Sequence, residues 1–263
     1  MRQQRFFWQG MIALMGAAAP LFAYAVTPGP IPLKKATPGL YAVTEEIEAE
    51  DALKKALPEN LRRPDIIRAL RLRRDIPLED FTPVQGGLNA PLTLIEFNDL
   101  NCLQCRDGLK LADSIYAKHK AVMRLAYRHA PFDKKASTNL AAFYGKLAHQ
   151  QGAFWAFRNA LLNLNEFTPD TLGKTLTEVG VKPRLLRQDF FPNARLFYSQ
   201  LDADAELAAL LKIKTPPQLL LNGMKIGEDL KPEDVDAMVE FLTNPKSLAA
   251  LKHYDKVMHD EPR

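Results

Sequence analysis

A Cys-x-x-Cys motif that follows an apolar strand is the feature that most constrains this chain. Cys102 and Cys105 are the only cysteines among the 263 residues. Alternating apolar residues from Leu92 onward predict the strand, and the residues after Cys105 have helical periodicity. The first thiol therefore faces the unpaired N–H groups at a helix start, which favour a thiolate. The motif indicates dithiol–disulfide chemistry.

Metal binding is the main alternative for the cysteine pair. A structural zinc site needs four ligands, and His119, His129 and His149 have no ligand spacing relative to the pair. We therefore assign no metal ligand, although transient Cu(I) binding by two thiolates stays open. Patterns for a catalytic serine, a zinc protease, a phosphate loop or an EF-hand are also missing from the sequence. We expect no cofactor beyond the Cys102–Cys105 disulfide itself.

The first 25 residues have the pattern of a cleavable signal peptide. Arg2 and Arg5 precede an apolar run from Phe6 to Tyr24, and small residues lead up to Ala25, where a signal peptidase would cut. This predicts an exported, periplasmic protein. The apolar run is nearly long enough to cross a bilayer, so an uncleaved N-terminal membrane anchor is the minor alternative.

Composition and charge describe a folded protein without a nucleic-acid partner. Hydrophobic residues make up 47% of the chain, and the formal net charge is +4 with both signs interspersed. The chain can therefore bury a sizeable hydrophobic core, and its charge pattern does not indicate an extended basic surface. One arginine-rich stretch, residues 62–74, is interpreted as the solvated face of a helix, and a site for an anionic partner is the alternative.

The remainder of the chain divides by its patterns. Prolines predict an extended tether, apolar residues at helical spacing predict helices, and the Asn222-Gly223 pair predicts a hairpin turn. The predicted segments are a signal peptide (1–25), a Pro-rich tether (26–43), an N-terminal helical extension (44–80), a strand–helix–strand unit with the Cys pair (81–132), a helical insertion (133–212), a hairpin followed by a helix (213–243) and a C-terminal tail (244–263).

Four motifs stand in a distinctive order: Ala90-Pro-Leu-Thr-Leu-Ile-Glu-Phe, Tyr127-Arg-His-Ala-Pro-Phe, Gln151-Gly-Ala-Phe-Trp and Thr215-Pro-Pro-Gln-Leu-Leu-Leu-Asn-Gly. In this order they resemble the exported DsbA-like proteins over roughly Pro83 to Leu242. The resemblance implies an α/β protein: a thioredoxin fold with an inserted all-helical domain, here with an N-terminal helical extension.

The resemblance also implies roles for site residues. Cys102 is the nucleophile that forms the mixed disulfide, and Cys105 is the resolving thiol. Glu96 falls where the family often keeps an acidic residue beneath the pair, as a proton acceptor for Cys105. The alternative for Glu96 is a strand carboxylate that points to water.

Two motif details depart from the family. The family places a cis-proline loop against the Cys pair, which the spacing assigns to Pro217, with Pro216 and Thr215 before it. Pro216 lacks the N–H that would bind substrate, unless a bulge makes Pro216 the cis residue. Between the cysteines stand Leu103 and Gln104, and Gln104 replaces the histidine of strong oxidants, which predicts a milder redox poise.

The sequence thus predicts an exported thiol-disulfide oxidoreductase that forms, reduces or isomerises disulfides in other exported proteins. Its partners would be cysteine-containing clients and a membrane or soluble redox partner that resets the Cys pair. The apolar stripes of residues 44–75 predict a homo-oligomer, unless they pack against the protein itself. The alternative function is a non-catalytic oligomeric chaperone or assembly component with the same fold.

Overall fold

The computed structural model describes residues 38–131, 140–227 and 230–259. The chain forms two compact units, residues 1–42 and 43–263, and the second unit holds nearly everything described below. The predicted signal peptide and most of the predicted tether lie outside the described residues. In the part that is described, no helix is both long and apolar enough to cross a membrane.

Helices and short strands follow one another in the order that the sequence predicts. The helices are α1 (Pro38–Ala56), α2 (Pro64–Leu72), α3 (Arg106–His119), α4 (Leu140–Gln150), α5 (Phe154–Ala160), α6 (Pro169–Glu178), α7 (Pro183–Leu210), α8 (Pro232–Thr243) and α9 (Pro245–His259). The strands are β1 (Val84–Gln85), β2 (Leu92–Asn98), β3 (Met123–His129), β4 (Gln218–Leu221) and β5 (Met224–Lys225).

The strands of the described residues form one mixed sheet in the order β1-β3-β2-β4-β5. β2 and β3 are parallel, with Leu92 opposite Met123 and Asn98 opposite His129. β4 runs antiparallel to β2, and β5 pairs with β4 across the predicted hairpin. The crossover from β2 to β3 is α3, so the Cys-x-x-Cys motif follows the carboxyl end of a central, buried strand. This is the thioredoxin arrangement that the sequence predicts.

Two faces of the sheet carry different cores. Leu94 of β2 packs with Ala112 and Ile115 of α3 in the larger cluster. Ile95 and its neighbours on the opposite face pack beneath the end of α7. Helices α4 to α7 enclose a third cluster of mostly aromatic and leucine side chains. The insertion is therefore a helical unit with its own core, which docks on the thioredoxin part.

The N-terminal extension differs in two respects from the prediction. α1 begins at Pro38, so the last residues of the predicted tether, 26–43, are helical. Leu53 of α1, Leu57 directly after that helix and Ile66 of α2 are buried in the same cluster as Leu94. The apolar stripes of residues 44–75 therefore pack on the thioredoxin core of their own chain. Association of chains through this segment stays a prediction. The exposed apolar stripe that motivated it is not present in the structure, because those side chains are buried.

The C-terminal tail also contributes to this core. The predicted C-terminal tail, residues 244–263, is helical from Pro245 to His259, and α9 places Tyr254 at 0% and Leu251 at 3% exposure. Both side chains join the cluster that contains Leu53 of α1. Burial of two large apolar side chains gives this helix a structural role, because each contributes a few kcal/mol, roughly 1.5–3, when removed from water.

Candidate active site

The cysteine pair is held by a hydrogen-bonded turn at the end of β2. The Asp99 carbonyl oxygen accepts the Cys102 N–H at 3.1 Å, and its carboxylate accepts the Asn101 N–H at 2.8 Å. Asn101 in turn accepts the N–H of Ala141 in α4. A short 3-10 turn, Leu103–Cys105, then leads directly into α3. The turn thus fixes Cys102 just before the helical N–H groups, where a thiolate is favoured.

Cys102 and Cys105 form a disulfide in this structure. Their environments differ: Cys102 is half-buried, whereas Cys105 is only 2% exposed. The Cys105 sulfur lies 3.7 Å from the carbonyl oxygen of Pro216, so an incoming thiolate has access to one sulfur of the pair. Leu103 and Gln104, between the cysteines, are both exposed. This asymmetry supports attack at Cys102 and departure of Cys105.

The proline loop lies against the start of α3. The peptide bond between Pro216 and Pro217 is cis, at the position that the motif spacing assigns. Pro216 is buried, while Thr215 and Pro217 are exposed. The Pro217 ring packs so closely on Gly108 that a Cβ there would lie 2.0 Å from the Pro217 Cγ. Only glycine permits this approach, which places the proline loop beside the Cys pair.

Glu96 is fully buried in an ion-pair network. Its side chain is 0% exposed, so the alternative that it points to water is wrong. One carboxylate oxygen accepts from Asn98 at 2.9 Å, and the other accepts two N–H groups of Arg158, at 2.6 and 3.1 Å. Side chains alternate along a strand, and Glu96 shares the sheet face of Leu94, which α3 covers. The carboxylate thus lies beneath the active-site helix.

Arg158 of the insertion joins three elements at this point. It is 0% exposed, donates to both carboxylate oxygens of Asp113 at 3.0 Å, and donates to the Leu109 carbonyl oxygen at 3.2 Å. Its guanidinium also lies 5.4 Å from the centre of the Trp155 ring. Glu96 belongs to β2 and Asp113 to α3, so a single side chain connects the insertion with the strand and the helix that carry the Cys pair.

The charges of this network are mutually compensated. Burial raises the pKa of the Glu96 carboxyl, and the Arg158 guanidinium and the Asn98 amide oppose that shift. Burial lowers the pKa of Arg158, but Glu96 and Asp113 outweigh it and the net shift is upward. Burial outweighs the three hydrogen bonds to the Glu96 oxygens, so the net shift of its pKa is upward, although those bonds favour the carboxylate form. The role of proton acceptor for Cys105 stays a prediction, because it would have to compete with Arg158.

Two arginines of this region were not singled out from the sequence. Arg158 stands three residues after the Gln151–Trp155 motif, and Arg106 follows the second cysteine directly. The Arg106 guanidinium donates to the carbonyl oxygens of Leu161 and Leu164 in the insertion. For Arg158 the available signal was a charge that follows the apolar run Phe154-Trp-Ala-Phe, since a cation there must find buried acceptors.

A second buried charge cluster lies on the other face of the sheet. Asp204 of α7 accepts from Arg128 at 2.7 Å and lies 3.6 Å from the Lys146 ammonium group. It also accepts the backbone N–H of His129 at 3.3 Å. Burial, helped by the charge of Lys146, lowers the pKa of His129 to about 4, against the opposing charges of Asp99 and Asp204. His129 therefore serves as a neutral group of the core at neutral pH.

Metal ligands do not cluster in the part of the chain that the structure describes. No group of three or more His, Cys, Asp or Glu side chains there is arranged to hold an ion. The arrangement around Cys102 instead offers a disulfide that an external thiolate can attack, a buried leaving thiol, and an adjacent proline loop.

Comparison with known proteins agrees with this geometry. The thioredoxin family matches residues 79–241. Disulfide bond formation protein D of Bacillus subtilis is 25% identical over 178 residues, which cover 60% of this chain and 75% of that protein. The Na(+)/H(+) antiporter NhaA 1 of Mycolicibacterium vanbaalenii is 24% identical over 152 residues, covering 57% of this chain. This chain spans only a quarter, 25%, of the length of that antiporter.

Among solved structures, a thioredoxin-like oxidoreductase from Silicibacter pomeroyi has the same fold. It superposes with a TM-score of 0.53 at 24% sequence identity, over 62% of this chain and 92% of that one. The match of the thioredoxin family covers more than half of the chain, including the Cys pair and the helical insertion. The chain therefore belongs to the thioredoxin family.

Proposed function

We propose that this protein is an exported thiol-disulfide oxidoreductase that exchanges disulfides with other exported proteins. The observation that carries the proposal is the Cys102–Cys105 disulfide at the start of α3, with one accessible sulfur and one buried sulfur. The similarity to a protein named for disulfide bond formation supports it. Export is proposed from the signal-peptide pattern of residues 1–25.

The proposed reaction transfers two electrons in two exchange steps. A client thiolate attacks the Cys102 sulfur, the Cys102–Cys105 bond breaks, and Cys105 leaves as a thiolate. A second client thiolate then attacks the client sulfur of the mixed disulfide and releases Cys102 as a thiolate. The client gains a disulfide and the enzyme becomes a dithiol. The same steps in reverse reduce a client, and both in sequence isomerise one.

Residues around the pair support specific parts of this cycle. The N–H groups at the start of α3 stabilise the Cys102 thiolate as it leaves. Pro217 and Thr215, exposed beside the pair, form the surface on which an extended client segment would lie. Gln104 can offer only a neutral hydrogen bond, so the dithiol form is stabilised less than in a histidine-bearing oxidant. A redox partner must reset the pair after each cycle, and no bound cofactor is needed.

Insulin reduction tests the proposal. With dithiothreitol as the electron source, the protein should accelerate precipitation of the insulin B chain, and Cys102→Ser should abolish the acceleration. Ser199→Ala, an exposed change on α7, is the control that should retain it. A wild-type protein without any acceleration, or a fully active Cys102→Ser variant, would refute the proposal and leave the non-catalytic chaperone function.

Equilibration with glutathione then measures the redox potential, which shows whether the protein mainly oxidises, reduces or isomerises client disulfides. The milder poise expected from Gln104 places the redox potential below that of strong oxidants, which lie near about −120 mV. A potential at that oxidising extreme would contradict the role assigned to Gln104, while leaving the exchange activity itself unaffected.

A further inference from the structure

A cavity of about 610 Å³ lies at the β5 edge of the sheet, away from the cysteine pair. It is open to solvent on one side and is bordered by α2 of the N-terminal extension, by the end of α7 and by the β4–β5 hairpin. Its size falls within the range of roughly 300–1,000 Å³ that is typical of small-molecule pockets. Nothing in the proposed disulfide exchange uses it.

The floor of the cavity is aliphatic. It is formed by five side chains without a polar atom: Ala69, Leu72, Leu210, Leu211 and Leu220. Leu72 and Leu210 are 57% and 78% exposed, which is unusual for leucines that line the same concave surface. Exposed aliphatic side chains gathered in a cavity indicate a site for an apolar ligand rather than scattered surface residues.

The rim of the cavity is cationic. Arg68, Arg74, Lys212 and Lys225 line it, and none of the four has an ion pair within the described residues. The Lys225 ammonium group donates to the Lys212 carbonyl oxygen at 3.3 Å, which brings two cationic side chains to one end. Burial and the charge of Lys212 lower the pKa of Lys225. An anion at this end would relieve the repulsion between them.

Among the described residues that line the cavity, the single acidic one does not neutralise the rim. Asp65 binds Arg63 outside the cavity, at 2.8 Å. At the other side, the Arg74 backbone closes tightly on the hairpin turn, because a Cβ on Gly223 would lie 1.9 Å from the Arg74 carbonyl oxygen. The cavity is thus fixed by backbone contact and has excess positive charge at its mouth.

We propose that this cavity binds a single-chain amphiphile with a carboxylate head group, of the long-chain fatty acid class, from free solution. The alkyl chain would lie on the aliphatic floor, and the carboxylate would pair with Lys212 and Lys225. A peptide is a poorer fit, because its buried amide groups would find no partners among aliphatic side chains. The charge of the rim excludes cationic amphiphiles.

Calorimetric titration of the full chain with three ligands tests this assignment. Dodecanoate, kept below its micelle-forming concentration, should bind saturably with one site per chain. Dodecyltrimethylammonium has the same chain with the opposite charge, and butanoate has the same head group without the long chain. Both should bind at least tenfold more weakly. Equal binding of the two long-chain ligands, or no saturable binding of dodecanoate, would overturn the proposal.

Variants with matched controls locate the site. Lys212→Gln combined with Lys225→Gln should weaken dodecanoate binding at least fivefold, whereas Lys174→Gln combined with Lys246→Gln, two exposed lysines elsewhere, should not. All four positions are outside the buried core, so folding should be retained, which the unfolding midpoint checks. Equal affinities for the two double variants would place the ligand elsewhere and refute the site.

The floor and the source of the ligand are tested separately. Leu210→Ser should weaken dodecanoate binding, whereas Leu88→Ser, at a leucine that is 79% exposed outside the cavity, should leave it unchanged. Anionic vesicles of phosphatidylglycerol test whether the chain binds a membrane surface rather than a free amphiphile. Sedimentation of the chain with these vesicles, without binding of monomeric dodecanoate, would identify a membrane surface instead and contradict the proposal.

Discussion

The two faces of the central sheet carry buried charge clusters of opposite balance. Beneath the active-site helix, one guanidinium, Arg158, serves two carboxylates, Glu96 and Asp113. On the other face, one carboxylate, Asp204, serves two cations, Arg128 and Lys146. Each cluster joins a central strand to the helical insertion. The insertion is therefore fastened to the thioredoxin part on both faces, by charge as well as by apolar contact.

The difference lies in what each cluster can do when it loses a partner. An arginine keeps its proton at any pH that a folded protein tolerates. A buried lysine can release its proton, and burial already lowers the pKa of Lys146. The Arg158 cluster should therefore keep its positive charge, whereas the Asp204 cluster can lose the positive charge of Lys146. Of the two clusters, only the Arg158 cluster contacts α3, and the redox pair lies at the start of that helix.

The largest effect is expected from Arg158→Met. Loss of the guanidinium leaves Glu96 as an uncompensated buried carboxylate, which should lower the free energy of unfolding by about 3–5 kcal/mol. Urea unfolding measures this change. Arg195→Met, at an exposed arginine of α7, is the control.

The double variant Arg158→Met with Glu96→Leu completes this test. It removes both charges and should recover part of the lost stability, because the cost comes from the unpaired carboxylate. A loss below about 1 kcal/mol for the single variant would contradict the rigid ion pair, since unpaired buried charges cost more than that.

A smaller effect is expected from Asp204→Asn, because Lys146 can respond by losing its proton. The free energy of unfolding should fall by roughly 2–4 kcal/mol at neutral pH. An unfolded lysine binds a proton that the buried one gives up, so the stability of the variant should rise with pH relative to wild type. Asp202→Asn, exposed on the same helix, is the control. A deficit that does not shrink between pH 7 and pH 9 would show that Lys146 cannot adjust.

The smallest effect concerns acid stability through His129. Its pKa is about 4 in the folded protein, against 6.5 for the ordinary group. Between these values the unfolded chain binds a proton that the folded chain does not, so stability falls as the pH drops through that window. His129→Gln should remove up to about 3 kcal/mol of this pH dependence. His253→Gln, an exposed histidine, should leave the profile unchanged, and an unchanged profile for His129→Gln would contradict the neutral buried histidine.

Local pattern was enough to predict the strand, the turn and the helix around the Cys pair. Alternation in β2 and helical spacing after Cys105 depend only on neighbouring residues. The family resemblance implied the proline loop, and the motif spacing assigned it to Pro217. Partners across the chain were beyond such reasoning: Glu96 and Arg158 are 62 positions apart, and nothing in either neighbourhood specifies the other. The sequence therefore did not decide whether the Glu96 side chain is buried beneath the Cys pair or points to water.

The extension and the tail show the same limit. An apolar stripe on α1 or α2 shows that a face must be buried, but the sequence does not say which surface covers it. The structure buries Leu53 and Ile66 on the sheet together with Tyr254 of α9, so the predicted C-terminal tail covers part of the same surface. Amphipathicity predicted that these helix faces would be buried, but it did not predict which surface would cover them.

The asymmetry between the two cysteines is tested most directly by alkylation of the reduced protein. Iodoacetamide is added near neutral pH, samples are taken over time, and mass spectrometry measures the label at each position. Cys102, half-buried at the start of α3, should titrate below the usual thiol value of about 8.5 and be labelled first. Cys105, at 2% exposure, should react only later. Labelling of Cys105 first, or of both at one rate, would contradict the assignment of Cys102 as the attacking thiol.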